Sequence, residues 1–161
     1  MIREAHVSDA AAIAEIYNYY ILNTIVTFEL DPITSVDIAK RMVTYKKIGP
    51  YLVYEENNLV IGYAYASKFR DRKAYDSSVE STIYLRNGSC GKGIGFKLYS
   101  ELLSLLLPKY HVIIGGISLP NEASVKLHEK CGFTKVGHFP EVGNKFGKWV
   151  DVGFWLLNGT G

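Results

Sequence analysis

Three glycines at alternating positions, in Cys90-Gly91-Lys92-Gly93-Ile94-Gly95, stand between a β-rich run and an apolar-periodic one. Glycine lets the backbone bend so that successive N–H groups point into one concavity, and a helix opening there adds partial positive charge. Such a turn binds phosphate. It is not a P-loop, because Gly93 follows Lys92 where that motif needs Ser or Thr. Nor is it the dinucleotide fingerprint G-x-G-x-x-G, since neither Gly91 nor Gly93 finds its third glycine in register. Glu80 is a lone carboxylate in the run Val79–Leu85, which reads either as a charge on a solvated face or as a general base. Asn121, Ser124 and His128 share a helix face at i, i+3 and i+7, and Asn121 also reads as an N-cap. His128 is a lone helical histidine, a residue that serves packing or surface as well as chemistry. Lys68, Arg70 and Arg72 alternate before Tyr75, either as a solvated edge or as an anion clamp. Arginine's planar fork suits a carboxylate.

Elements must hold these groups in place. Met1–Ala5 reads as a short strand, and Ser8-Asp9 caps a helix through Ala12, Ile13, Ile16, Tyr17, Tyr20 and Ile21. After Asp31-Pro32, Thr34 or Ser35 caps a second helix through Val36, Ala39, Met42 and Val43, which Gly49-Pro50 ends. Tyr51–Glu55 and Leu59–Ser67 read as strands joined by a tight turn at Asn57-Asn58, with Gly62 marking a bulge. Val79–Leu85 alternates, placing Glu80, Thr82 and Tyr84 on one face and Ser81, Ile83 and Leu85 on the other. Ile94, Leu98, Leu102 and Leu105 line a third helix that Pro108 stops; His111–Ile117 is a buried strand. Pro120-Asn121-Glu122 opens a fourth helix closing at Cys131-Gly132, with Gly at C′. Phe133–Val142 and Trp149–Leu157 read as a final strand pair. The order β α α β β β α β α β β predicts an α/β fold with a mixed sheet, antiparallel early and parallel across the third and fourth helices.

Composition excludes several classes. The chain has 161 residues, 48% of them apolar and 21% charged, which predicts one globular domain over 1–161. Eighteen Lys and Arg against 16 Asp and Glu leave only +2, which argues against a nucleic-acid binder working by bulk charge. No apolar run reaches the ~18 residues of a membrane span. The start, Met1 to His6, lacks the apolar segment of a secretion signal. Cys90 and Cys131 make neither a disulfide framework nor a zinc cluster. The expectation is a cytoplasmic protein without bound metal, nucleic acid or membrane.

The glycine turn, with the later Leu119-Pro120-Asn121-Glu122-Ala123-Ser124, resembles the acetyl-CoA loop (R/Q-x-x-G-x-G/A) of the GNAT N-acetyltransferase superfamily. Gly93 and Gly95 stand as its last two glycines. Ala74-Tyr75-Asp76, Glu80-Ser81-Thr82-Ile83-Tyr84-Leu85, His128-Glu129 and Asp151-Val152-Gly153-Phe154-Trp155 look like the phosphinothricin and methionine sulfoximine acetyltransferase subgroup. The resemblance covers the whole chain. It implies the GNAT fold, with acetyl-CoA as donor to the α-amino group of a small amino-acid analogue such as phosphinothricin, methionine sulfoximine or methionine sulfone. By the resemblance, Glu80 is the general base and also lies at the substrate, and His128 stands where many relatives carry a thiolate-protonating tyrosine. Gly91, Lys92, Gly93, Ile94, Gly95 and Phe96 bind the pyrophosphate end, while Ile83, Tyr84, Leu85, Asn121 and Ser124 hold pantetheine. Phe28, Arg72 and Tyr75 bind the acceptor, and relatives are usually homodimers. Two positions depart from the pattern: Cys90 replaces the loop's Arg or Gln, and Ser77 an aromatic. Two rival readings stand beside this one. One is a GNAT enzyme for a polyamine, aminoglycoside or protein N-terminus; the other is a CoA-binding sensor without turnover.

Overall fold

A computed structural model describes residues 1–159. The strands are β1 (Ile2–Glu4), β2 (Leu52–Glu56), β3 (Leu59–Lys68), β4 (Ser78–Leu85), β5 (Val112–Leu119), β6 (Thr134–Lys145) and β7 (Lys148–Asn158). The helices are α1 (Ala10–Asn23), α2 (Ser35–Lys46), α3 (Ile94–Leu106) and α4 (Glu122–Lys130). All seven strands form one sheet, ordered β1-β2-β3-β4-β5-β7-β6. Only β4 and β5 run parallel among the described pairs. The expected parallel pairing across α4 is absent. β6 is carried past the neighbouring position, and β7 returns by a hairpin to fill it, antiparallel to both β5 and β6.

Local chemistry explains most of the boundaries. Thr34 caps α2, its hydroxyl accepting from the Asp37 amide at 3.1 Å. Asp9 instead turns its carboxylate back to the His6 amide and the Arg3 guanidinium, tying the chain before α1 to β1. Asn57 and Asn58 both adopt positive φ, as a tight hairpin requires. The β2–β3 register slips beside Gly62, where a Cβ would lie 2.6 Å from the Leu85 side chain.

The sheet separates two cores. On one face Ile13, Ile16, Ile21, Ile38 and Met42 pack on Val53 and Tyr63. Leu98, Tyr99, Leu102 and Leu106 pack on Ala64, Val79 and Ile113 on the other. Val36 and Val43 are exposed, because α2 buries the arc through Ile38 and Met42. Leu105 is likewise exposed at the margin of the α3 arc centred on Leu98 and Leu102. No helix among the described residues is long and apolar enough to cross a membrane.

Candidate active site

β4 and β5 pair only from Ser78↔Val112 to Glu80↔Ile114, and then part. Beyond that fork β4 continues to Leu85 and β5 to Leu119, so alternate backbone N–H and C=O groups of each strand face an open gap. A strand interrupted inside a sheet offers those groups to an extended ligand. The gap widens into a cleft of about 430 Å³ lined by β4, the glycine turn, β5 and α4.

At one end of the cleft lies the glycine turn. Gly88, Gly91 and Gly93 take positive φ with open space where a Cβ would stand, so a side chain there meets backbone strain rather than a clash. Gly93 is the N-cap of α3 and supplies no side-chain cap, which leaves the first-turn amides free for an anion. Gly91, Gly93, Gly95 and Phe96 line the cleft; Lys92 is exposed and Ile94 is buried in the core. Ile83, Tyr84, Leu85, Asn121, Ser124 and His128 complete the wall. Asn121 does cap α4, its side-chain oxygen accepting from the Ser124 amide at 3.2 Å.

His128 is 4% exposed. Its Nδ1 lies 2.7 Å from the Ser124 carbonyl, which can only accept, so Nδ1 carries the proton. Burial pushes its pKa below the usual histidine value, so the ring is held neutral and Nε2 accepts from the Tyr99 hydroxyl at 3.0 Å.

Glu80 sits at the fork itself, half-buried, with its carbonyl-bearing neighbours Ser67 and Ile114 across the sheet. Burial raises its pKa, and Arg70 partly opposes the shift. Arg70, Asp71, Arg72 and Tyr75 surround a second cavity of about 390 Å³ just beyond β3. Phe28 lines neither cavity, and its ring packs on Gly143 of β6, where a Cβ would lie 2.3 Å away. The loop bearing Phe28 is strapped from both sides. Tyr17 bonds Thr27 and Glu29, Arg41 grips Glu29 through two nitrogens, and the buried Lys145 donates to the Thr27 carbonyl at 2.8 Å.

Several residues here escape sequence reasoning. Tyr20 reads as helix core, yet its hydroxyl reaches the Leu85 carbonyl and its ring lines the cleft. Lys126 and Lys130, four apart on α4, bring positive charge to the wall, and that spacing is a signal the sequence did carry. Ser81 lines the cleft, while Tyr99 and Lys145 line neither cavity and are brought to Ser81 and Thr27 only by the fold, so neither has a local signal. Among the described residues no group of three or more His, Cys, Asp or Glu is placed to hold a metal ion.

Comparison with known proteins agrees with this geometry. The family model of the GNAT acetyltransferase domain matches residues 2–153. The chain is 39% identical to the phosphinothricin N-acetyltransferase of Streptomyces viridochromogenes, over 96% of this chain and 85% of that one. It is 38% identical to the L-methionine sulfoximine/L-methionine sulfone acetyltransferase of Salmonella typhimurium, over 97% and 92%. A GNAT phosphinothricin acetyltransferase from Sinorhizobium meliloti, solved in complex with acetyl-CoA, superposes with a TM-score of 0.94 at 37% identity, over 98% and 87%. A parted β4–β5 pair, a glycine turn opening α3 and these three likenesses all lead to one assignment: the chain belongs to the GNAT acetyltransferase family.

Proposed function

We propose that this protein transfers the acetyl group of acetyl-CoA to the α-amino group of a small amino-acid analogue of the phosphinothricin or methionine sulfoximine kind. The observation that carries the reading is the place of Glu80. It stands half-buried at the fork, with the cleft opening beyond it and Arg70 near enough to lower its pKa from the other side. In this reading the diphosphate of the donor sits on the glycine turn, and its pantetheine arm lies along Ile83–Leu85, held by Asn121 and Ser124. A β4 amide N–H donates to the thioester oxygen as negative charge grows on it.

The acceptor's carboxylate meets Arg72 and Tyr75, which border the second cavity; Phe28, whose ring lines neither cavity, is assigned to the acceptor side by the family resemblance alone. Glu80, ionised, draws a proton from the ammonium through water, and the free amine attacks the thioester carbon. The carbon–sulfur bond then breaks and the thiolate takes a proton from the side of His128. Transfer is direct, so neither Cys90 nor Cys131 forms an acyl-enzyme. The functional form is a homodimer, a reading supported by the exposed apolar residues of the β6–β7 hairpin.

Thiol release from acetyl-CoA, followed across an amine panel, tests this. Turnover is expected with methionine sulfoximine, methionine sulfone and phosphinothricin. Preference for spermidine, an aminoglycoside or a peptide N-terminus would replace the acceptor class, and tight CoA binding without turnover on any amine would make the protein a sensor.

A further inference from the structure

Behind the cleft wall a chain of hydrogen bonds runs through the core, using a residue to which neither sequence nor family resemblance gave a role. Ser81 Oγ lies 2.5 Å from the Tyr99 hydroxyl, and that hydroxyl lies 3.0 Å from His128 Nε2. The Ser124 carbonyl lies 2.7 Å from Nδ1 on the far side of the ring, and the Ser124 hydroxyl stands 3.4 Å from the same nitrogen. Tyr99 is fully buried, and Ser81 and His128 are nearly so. Both ends of the chain, Ser81 and Ser124, border the cleft.

The polarity of the chain follows from one acceptor. A carbonyl cannot donate, so Nδ1 holds the ring proton; Nε2 then accepts from Tyr99, and Tyr99, having spent its proton, accepts from Ser81. The backbone makes room for this ring. A Cβ at Gly115 would lie 2.6 Å from both Cδ2 and Nε2 of His128, so any side chain on that position of β5 displaces the imidazole. The rings of Tyr99 and Phe133 meet it edge-on, at 5.1 and 5.0 Å between centroids.

We propose that Tyr99 is a positioning residue for acetyl transfer, holding His128 in its Nδ1–H tautomer and returning a proton to Nε2 when the ring gives one up. The step rests on the acetyltransferase reading above. As the carbon–sulfur bond breaks, the thiolate takes the Ser124 hydroxyl proton, and that oxygen takes the proton from Nδ1. Nε2 takes the phenolic proton of Tyr99, Tyr99 takes the hydroxyl proton of Ser81, and Ser81 takes a proton shed by the attacking amine. Every protein group ends with as many protons as it began with, His128 as its Nε2–H tautomer; the reverse shift along the chain, with Ser81 giving a proton to cleft water and Ser124 taking one, restores Nδ1–H before the next turnover. The net movement is one proton from nitrogen to sulfur.

Two measurements decide it. Tyr99→Phe keeps the ring and removes the proton, and is expected to lower kcat by about tenfold or more while leaving the KM for acetyl-CoA within about twofold. Its solvent deuterium isotope effect should fall towards one, and Ser81→Ala, which leaves the phenol in place, should show the same trend more weakly. Independently of turnover, long-range 1H–15N NMR should find His128, one of four histidines and assigned by its loss in His128→Gln, as the Nδ1–H tautomer in the wild type and altered in Tyr99→Phe. A wild-type Nε2–H tautomer or imidazolium at neutral pH overturns the proposal, as does a folded Tyr99→Phe with wild-type kcat and isotope effect. A wild type with the expected tautomer but no transfer to any amine defeats the functional reading and the proton path with it, and only the tautomer assignment survives.

Discussion

As the proposed base, Glu80 carries two opposed demands. A base must be ionised to act, yet burial at the fork favours its neutral form and raises its pKa from the ordinary value. The folded pKa therefore lies above the unfolded one. The group's contribution to stability is fullest below the unfolded pKa and is lost as pH rises through the folded value. Glu80→Gln, neutral at every pH, is accordingly expected to raise Tm at pH 7 with the gain shrinking in acid, while lowering kcat by ~10²-fold. Thermal scans at two pH values and a steady-state assay check both. A variant that keeps its rate, or that loses stability at neutral pH, removes Glu80 from the role of a buried base. Arg70 supplies the matching sign: it lowers the Glu80 pKa, so Arg70→Gln should move the acidic limb of the kcat profile to higher pH.

Elements reveal which parts of this site were legible in the chain. The glycine turn was readable as a turn opening a helix because Gly91 and Gly93 take positive φ and Gly93 caps α3, all within a few residues. The alternation of β4 was equally readable: Ser81 does face Tyr99 and α3, while Tyr84 faces Tyr17 and Tyr63 on the other side. The insertion of β7 beside β5 was not, because strand order depends on which gap a returning hairpin fills, and no local propensity encodes that. The same blindness covers Lys145, which lies 118 residues from the Thr27 carbonyl that it holds. Lys145 is 2% exposed, and its hydrogen bond to Thr27 holds the loop of Phe28, whose ring packs on Gly143. Lys145→Met keeps the apolar stem and removes the donor. The expected result is a rise of roughly threefold to tenfold in the KM for the amine acceptor, the loss of about one hydrogen bond to a charged group, with the KM for acetyl-CoA unchanged. Steady-state kinetics with each substrate varied separately reads this; equal rises in both constants would mean that the lysine supports the fold at large and has no particular hold on the acceptor side.

At the scale of the whole molecule the β6–β7 hairpin is anomalous. Val136, Phe139, Val142, Phe146 and Trp149 are each more than half exposed, and all lie on it. β6 is also an edge strand of 12 residues with one side unpaired. A long edge beside an apolar patch invites association, and a closed two-fold pairing satisfies it without polymerising. The hairpin also bears Gly143 and Lys145, which clamp the loop of Phe28, and the proposed acceptor role of Phe28 is what would join association to acceptor binding. Trp149, at 68% exposure, contributes little to the core and is the place to cut. Trp149→Lys sets a charge into the patch and should convert the proposed dimer into monomer with its Tm within a few degrees of wild type. Sedimentation equilibrium gives the mass, and the KM for the acceptor, measured on the same sample, should rise while that for acetyl-CoA holds. A wild type that sediments as a single 161-residue chain at tens of micromolar ends the dimer reading. A monomeric variant with an unaltered acceptor KM keeps the dimer and severs its link to the pocket, leaving the clamp of Lys145 on Thr27 as a property of each subunit alone.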